Sequence, residues 1–123
     1  MVVDIHADVG KNRIFIRIEG QVDNTQAKTV ADAIIKEMDR LRPGFDVVSD
    51  LSHAEALGPE SMAEFKRIVE AQRARKFGRA VRIVGRSPQT ALQLARTSKE
   101  AQHEPHLAFS REEAERWLDG ELP

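Results

Sequence analysis

The chain has 123 residues, 41% of them hydrophobic and 32% charged, with 19 Lys+Arg against 20 Asp+Glu for a net charge of -1. This length suits one domain, residues 1–123, with a core of its own. The charge balance removes any global attraction to nucleic acid or an anionic membrane, and the lack of cysteine excludes disulfides, thiolate metal sites and cysteine nucleophiles.

The N-terminus, MVVDIHADVG, has no basic segment and carries Asp4 and Asp8 within its apolar stretch, so it does not read as a signal peptide. No apolar run approaches the roughly 18 residues that span a bilayer. A cytoplasmic protein without membrane insertion is expected. VVDIHADV alternates, with Val3, Ile5, Ala7 and Val9 on one face and Val2, Asp4, His6 and Asp8 on the other. That is the pattern of a half-buried strand. Gly10-Lys11-Asn12 is turn chemistry, and RIFIRIEG alternates again through Ile14, Ile16 and Ile18, which predicts an antiparallel hairpin.

After Gly20 the period lengthens. Ala27, Val30, Ala31, Ile34, Ile35, Met38 and Leu41 follow helical spacing, with Asp23 and Gln26 as a capping box and Pro43-Gly44 as the stop. Residues 45–51, FDVVSDL, read as a central strand. A loop and then a second helix follow, with Met62, Phe65, Ile68, Val69 and Gln72 inward and Gly78 placed as the C-terminal cap. AVRIVG (80–85) is a further buried strand. Ser87-Pro88 opens a third helix that offers Ala91, Leu92, Leu94 and Ala95 for packing. LAF (107–109) is a brief strand, and Ser110-Arg111-Glu112-Glu113 is a capping box for a last helix buried through Ala114, Trp117 and Leu118. The order ββαβαβαβα predicts an α/β fold: a layered, mixed, mostly parallel sheet with flanking helices.

Candidate chemistry is sparse. Asp50, Ser52 and His53 lie close in sequence, but adjacent residues on a strand point to opposite faces and no nucleophile elbow surrounds Ser52, so a triad is not expected. Ser52 with Glu55 suits a local capping or turn hydrogen bond. His103-Glu104-Pro105-His106 offers two imidazoles on a Pro-containing loop, short of a metal site, and reads as polar surface. Arg73, Arg75, Lys76, Arg79, Arg82 and Arg86 cluster around a helix C-terminus, where cations are favourable anyway, and read as a solvated face. Gly85-Arg86-Ser87-Pro88 lacks the further glycines and Lys of a phosphate-binding loop. No metal, no cofactor and no enzymatic activity are expected.

Two junctions, Val47-Val48-Ser49-Asp50-Leu51-Ser52 and Ala80-Val81-Arg82-Ile83-Val84-Gly85-Arg86-Ser87-Pro88, together with the closing FSREEAERWL, resemble the STAS family. That family comprises the anti-sigma factor antagonists and related domains of sulfate transporters and stressosome proteins. The resemblance covers nearly the whole chain in element order. It implies a regulatory domain that binds a protein partner, an anti-sigma factor or a kinase-like regulator, with homodimer formation left open. In regulatory members the loop after "DLS" carries an Asp-Ser pair whose Ser is phosphorylated. Counted from Asp50, that pair falls on Gly58 and Pro59, so the resemblance implies a lost phospho-switch here.

The partner-binding residues expected on this basis are Ser52, His53, Glu55, Gly58, Pro59, Glu60 and Ser61. Gly58-Pro59-Glu60 equally suits a plain, well-made helix start, since Pro fits the first helical position and an acidic group favours the helix N-terminus. The alternative function is a carrier or sensor of a small apolar, lipid-like ligand held between helix and sheet. Met38, Met62, Phe65 and Trp117 would offer a soft or aromatic lining.

Overall fold

The computed structural model describes residues 1–55, 58–84, 96 and 105–121. Among them, the alternating segment VVDIHAD forms β1 (Val2–Asp8) and RIFIRIEG forms β2 (Arg13–Gly20). The two pair antiparallel without interruption from Val2↔Glu19 to Asp8↔Arg13. Asn12 closes their turn in the left-handed region at φ 56°, and Asp8 accepts the Lys11 N–H at 3.0 Å. The strands β3 (Asp46–Ala54), β4 (Ala80–Ile83) and β5 (His106–Ala108) then add in parallel, giving the order β1-β2-β3-β4-β5. The mixed, mostly parallel α/β sheet is as the sequence predicts.

Alternation along the strands builds two cores. Ile14, Ile16, Val47 and Ala80 pack with Ala31, Ile34 and Met38 of α1 (Asn24–Met38) and Ile68 of α2 (Pro59–Ala74). Their neighbours Phe15, Val48, Val81 and Ile83 point the other way, onto Ala114 and Leu118 of α3 (Arg111–Leu118). Burying each of these large aliphatic side chains contributes roughly 1.5–3 kcal/mol. Asp23 and Ser110 are the N-caps that the sequence predicts. Asp23 accepts the Thr25 N–H at 2.8 Å at the start of α1, and Ser110 Oγ accepts the Glu113 N–H at 3.1 Å at the start of α3.

Three expectations change. The first helix ends at Met38, ahead of Pro43-Gly44, although Leu41 still packs on the core. The central strand runs on to Ala54, so Ser52 and His53 belong to β3 and not to a loop. The end of α2 is closed by Lys76, at φ 57°, with Phe77 N–H donating to Gln72 O at 3.1 Å and Lys76 N–H to Arg73 O at 3.0 Å. That is a Schellman turn, and it leaves Gly78 another task. Its N–H donates to Phe45 O at 2.6 Å, and a Cβ there would lie 2.5 Å from Gly44 O. Arg13, the first residue of β2, is only 6% exposed. It donates to Asp119 Oδ1 at 2.6 Å and lies 3.6 Å from Asp46 Oδ2. The third helix predicted from Ser87-Pro88, with Ala91, Leu92, Leu94 and Ala95, lies outside the described residues, as do Gly85, Arg86, His103 and Glu104.

Gly78→Ala is expected to destabilise the fold by about 1–3 kcal/mol, because the obstacle is backbone and cannot rotate away. Urea unfolding followed by circular dichroism reads this directly as a lower midpoint at unchanged slope.

Candidate functional site

The junction between β3 and α2 sits at the carboxyl end of a parallel strand, where α/β folds place ligands and partners. Its geometry begins with a register shift. Arg17 of β2 faces Asp50 and Glu19 faces His53, so Leu51 and Ser52 together stand opposite Ile18. One extra residue in β3 makes this a bulge, and it leaves the Ser52 N–H outside the regular ladder. Asp50 answers it: its Oδ1 accepts both the Ser52 N–H at 3.1 Å and the Ser52 hydroxyl at 2.6 Å. The expected Ser52–Glu55 bond is replaced by this tighter local one, since a carboxylate two residues back on the same strand is already in reach. The Ser52 proton points at Asp50 and not at His53, so the constellation is structural.

Beyond the bulge the strand's faces are exchanged. His53 is exposed beside Glu19, Ala54 is buried opposite Gly20, and the Glu55 N–H donates to Gly20 O at 3.0 Å. The helix α2 starts with Gly58 as its N-cap, in extended conformation with φ -75° and ψ 173°, followed by Pro59 at the first helical position and Glu60 in the first turn. Glu60 and the exposed helix amides attract each other. Gly58 has a steric reason to be glycine: a Cβ would come within 2.6 Å of Asn24 Nδ2. Asn24, the first residue of α1, in turn accepts the Ser61 hydroxyl at 2.6 Å.

The seven expected residues therefore divide. His53, Glu55, Pro59 and Glu60 are exposed on one end of the molecule, and Gly58 and Ser52 are half-buried between them. Ser61 is only 4% exposed and is spent on locking the starts of α1 and α2 together. A helix-start Ser looks solvent-facing in sequence; what buries it is Asn24, 37 residues away.

Other candidates are dispersed. Arg75 pairs with Asp39 at 2.8 Å and Arg79 with Asp46 at 3.0 Å. Arg82 is 7% exposed, lies 5.4 Å from the Phe65 ring, and burial pulls its pKa down to about 10. These arginines are separate structural groups, and Arg82 departs from the expected solvated face. His106 stacks on Trp117 with ring centres 4.0 Å apart, which occupies the imidazole in packing.

The helix-side cleft lined by Ile18, Val22, Leu51, Phe65 and Ile68 has a volume of about 50 Å³. That is room for a few water-sized groups and far short of a lipid. Met38 and Trp117 lie in different cores on opposite faces of the sheet, so the four residues proposed as a soft lining are not gathered.

A further group of polar side chains lies on the opposite face of the sheet near β1. There Asp4, Arg17 and Asp50 align across three strands by register, and His6, Phe15 and Val48 form the next row. Arg111 lies over Phe15 at 4.4 Å. The Arg17 guanidinium is held above its ordinary pKa, chiefly by its hydrogen bond to Glu19 and then by the charges of Glu19, Asp50 and Asp4. The signal was present in the alternation of VVDIHADV. It became a row only once pairing was known.

No protein-family model and no curated protein matches the chain. Among solved structures it is similar to that of the anti-sigma factor antagonist SpoIIAA in its unphosphorylated form, with a TM-score of 0.70 over 99% of this chain and 100% of that one, at 13% identity. The STAS-like fold is thereby shown. No helix among the described residues is long and apolar enough to cross a membrane.

Ser61→Ala and Asn24→Ala should each lower stability by about 1 kcal/mol, with the double variant costing little more than either alone. A double-mutant cycle in urea tests this, and full additivity would show that the bond does not couple the two helices.

Proposed function

We propose that the chain is a non-enzymatic regulatory domain that binds another protein through the β3–α2 junction, in the manner of an anti-sigma factor antagonist but without a phosphorylation switch. The observation that supports it is the exposure of His53, Glu55, Pro59 and Glu60 about the end of β3 and the start of α2. Asp50 and Ser52 secure the bulge, and Asn24 with Ser61 fixes the helix start. A surface built this way is ordered before binding, which lowers the entropy lost on association. Its two carboxylates suit a partner with a basic contact surface, an anti-sigma factor or a kinase-like regulator.

The position where a phosphorylatable Ser would stand is Pro59. Glu60, one residue on, supplies a constant negative charge at the same helix start. On this reading the domain is always in one binding state, and regulation falls to the abundance or state of the partner. Ser52 and Ser61 are poor substitutes for the missing Ser, because both hydroxyls are already donated internally.

Affinity capture from the native host, with mass spectrometry of bait and prey, should return a regulator of this class and an unphosphorylated bait. Against that regulator, Glu60→Lys combined with His53→Ala should weaken binding at least about tenfold in calorimetric titration, since the changes reverse one charge and remove one imidazole of the proposed surface. An unchanged Kd in a folded double variant moves the interface elsewhere.

A further inference from the structure

Among the described residues the first strand ends the sheet, and its outer edge is of a kind that proteins normally protect. Exposed edges are usually shortened, bulged, or armed with Lys or Pro, because their free backbone groups pair readily with another strand. β5, at the other end of the order, has only three residues. β1 has seven, pairs with β2 in unbroken register, and contains neither Lys nor Pro. Around it sit Val2 at 49% exposure and Met1 and Val9 at 45%, three of the five large exposed apolar residues among those described.

The side chains specify what could pair there. On the open face β1 presents Asp4 and His6, two residues apart. An antiparallel two-fold pairing of β1 with a second copy has few registers that keep the sheet faces continuous. Centred on Asp4 it sets carboxylate against carboxylate. Centred on His6 it sets imidazole against imidazole and Asp4 against Asp8. Centred on Ile5 it sets Asp4 of each copy opposite His6 of the other, and places Ile5 against Ile5 and Val3 against Ala7 on the helical face.

A carboxylate facing an imidazole across strands can accept its N–H, whereas two facing carboxylates repel. Asp8 would face Val2 in this register, and its carboxylate is already turned inward to the Lys11 N–H. We propose that the chain forms a two-fold dimer by joining β1 to β1 in the Ile5-centred register, making one ten-stranded sheet with the β3–α2 junctions left free.

The groups around the pair are consistent with it. Asp4 faces Arg17 on β2, so in the dimer it lies between Arg17 and the other copy's His6. His6 stacks on Phe15 with ring centres 6.5 Å apart, which holds the imidazole over the sheet. Asp4 and Asp8 on its own strand, Arg17 on β2 and Arg111 on α3 are the charged groups of that face nearest it.

Sedimentation velocity over a concentration series, with circular dichroism to check folding, tests the register by exchanging its charges. Asp4→His alone sets His against His, and His6→Asp alone sets Asp against Asp. Each should weaken the dimer about tenfold, and the combined D4H/H6D variant should restore it. A monomer at every concentration, or a dimer indifferent to both single changes, overturns the proposal. So does failure of the combined variant to recover.

A second measurement does not depend on those charges. The chain has no cysteine, so Ile5→Cys treated with oxidised glutathione can cross-link only at residue 5. The Ile5-centred register requires this variant to form the disulfide dimer much faster than Val3→Cys, which lies opposite Ala7. Equal rates refute the register. None of these variants touches the β3–α2 junction, so partner binding and dimer formation can fail independently.

Discussion

Asp46 holds the sheet together at the end away from the candidate surface. It is nearly buried at the first position of the central strand, with Arg13 on one side and Arg79 on the other. Two guanidiniums brought this close would repel without the carboxylate between them. The isolated carboxylate would itself be costly to bury. The group is therefore stable only when β2, β3 and the approach to β4 are all in place. Arg79 adds a bond to Leu118 O at 3.0 Å and Arg13 one to Asp119 Oδ1, so the last helix is tied to the same carboxylate. The Asp119 carboxyl is held below its usual range, first by its bond to Arg13 and then by the charges of Arg13, Lys11 and Arg79.

The molecule thus has a fixed end and a presenting end. Ionic and backbone bonds concentrate around Asp46, Gly44 and Gly78. At the far end of β3 the interactions are short-range: a carboxylate bonded two residues along its own strand, and one side-chain bond between helix starts. Such bonds orient a surface without crossing it, so the exposed groups stay available. The open sheet edge lies to the side of both ends. Joining two copies there would leave each presenting end unobstructed and double the number of partner sites in one particle. Linked sites of that sort raise avidity without any new contact.

Local pattern made the architecture legible. The alternation in β1 and β2, the helical spacing of Ala27, Ala31 and Ile34, and the capping residues Asp23 and Ser110 are short-range features, and each corresponds to an observed element. The residues misread were those whose surroundings come from distant parts of the chain. Arg82 looks solvent-bound until strand pairing and Phe65 bury it. Gly78 looks like a helix cap until Gly44 is seen beside it. Ser61 looks presented until Asn24 covers it. The extension of β3 to Ala54 was hidden for a related reason: the bulge breaks the alternation that would have marked it as strand.

That bulge also fixes the parity of everything after it. Were the same residues to alternate regularly from Asp50 to Ala54, without the bulge, His53 would turn into the helical layer and Ala54 out to solvent. The identity of the presented residues therefore depends on a count as much as on chemistry. A relative of the same fold that lacks the extra residue would present its side chains from an almost identical backbone, but each one place earlier in its count. Sequences aligned through this stretch without a gap would then compare residues that face in opposite directions.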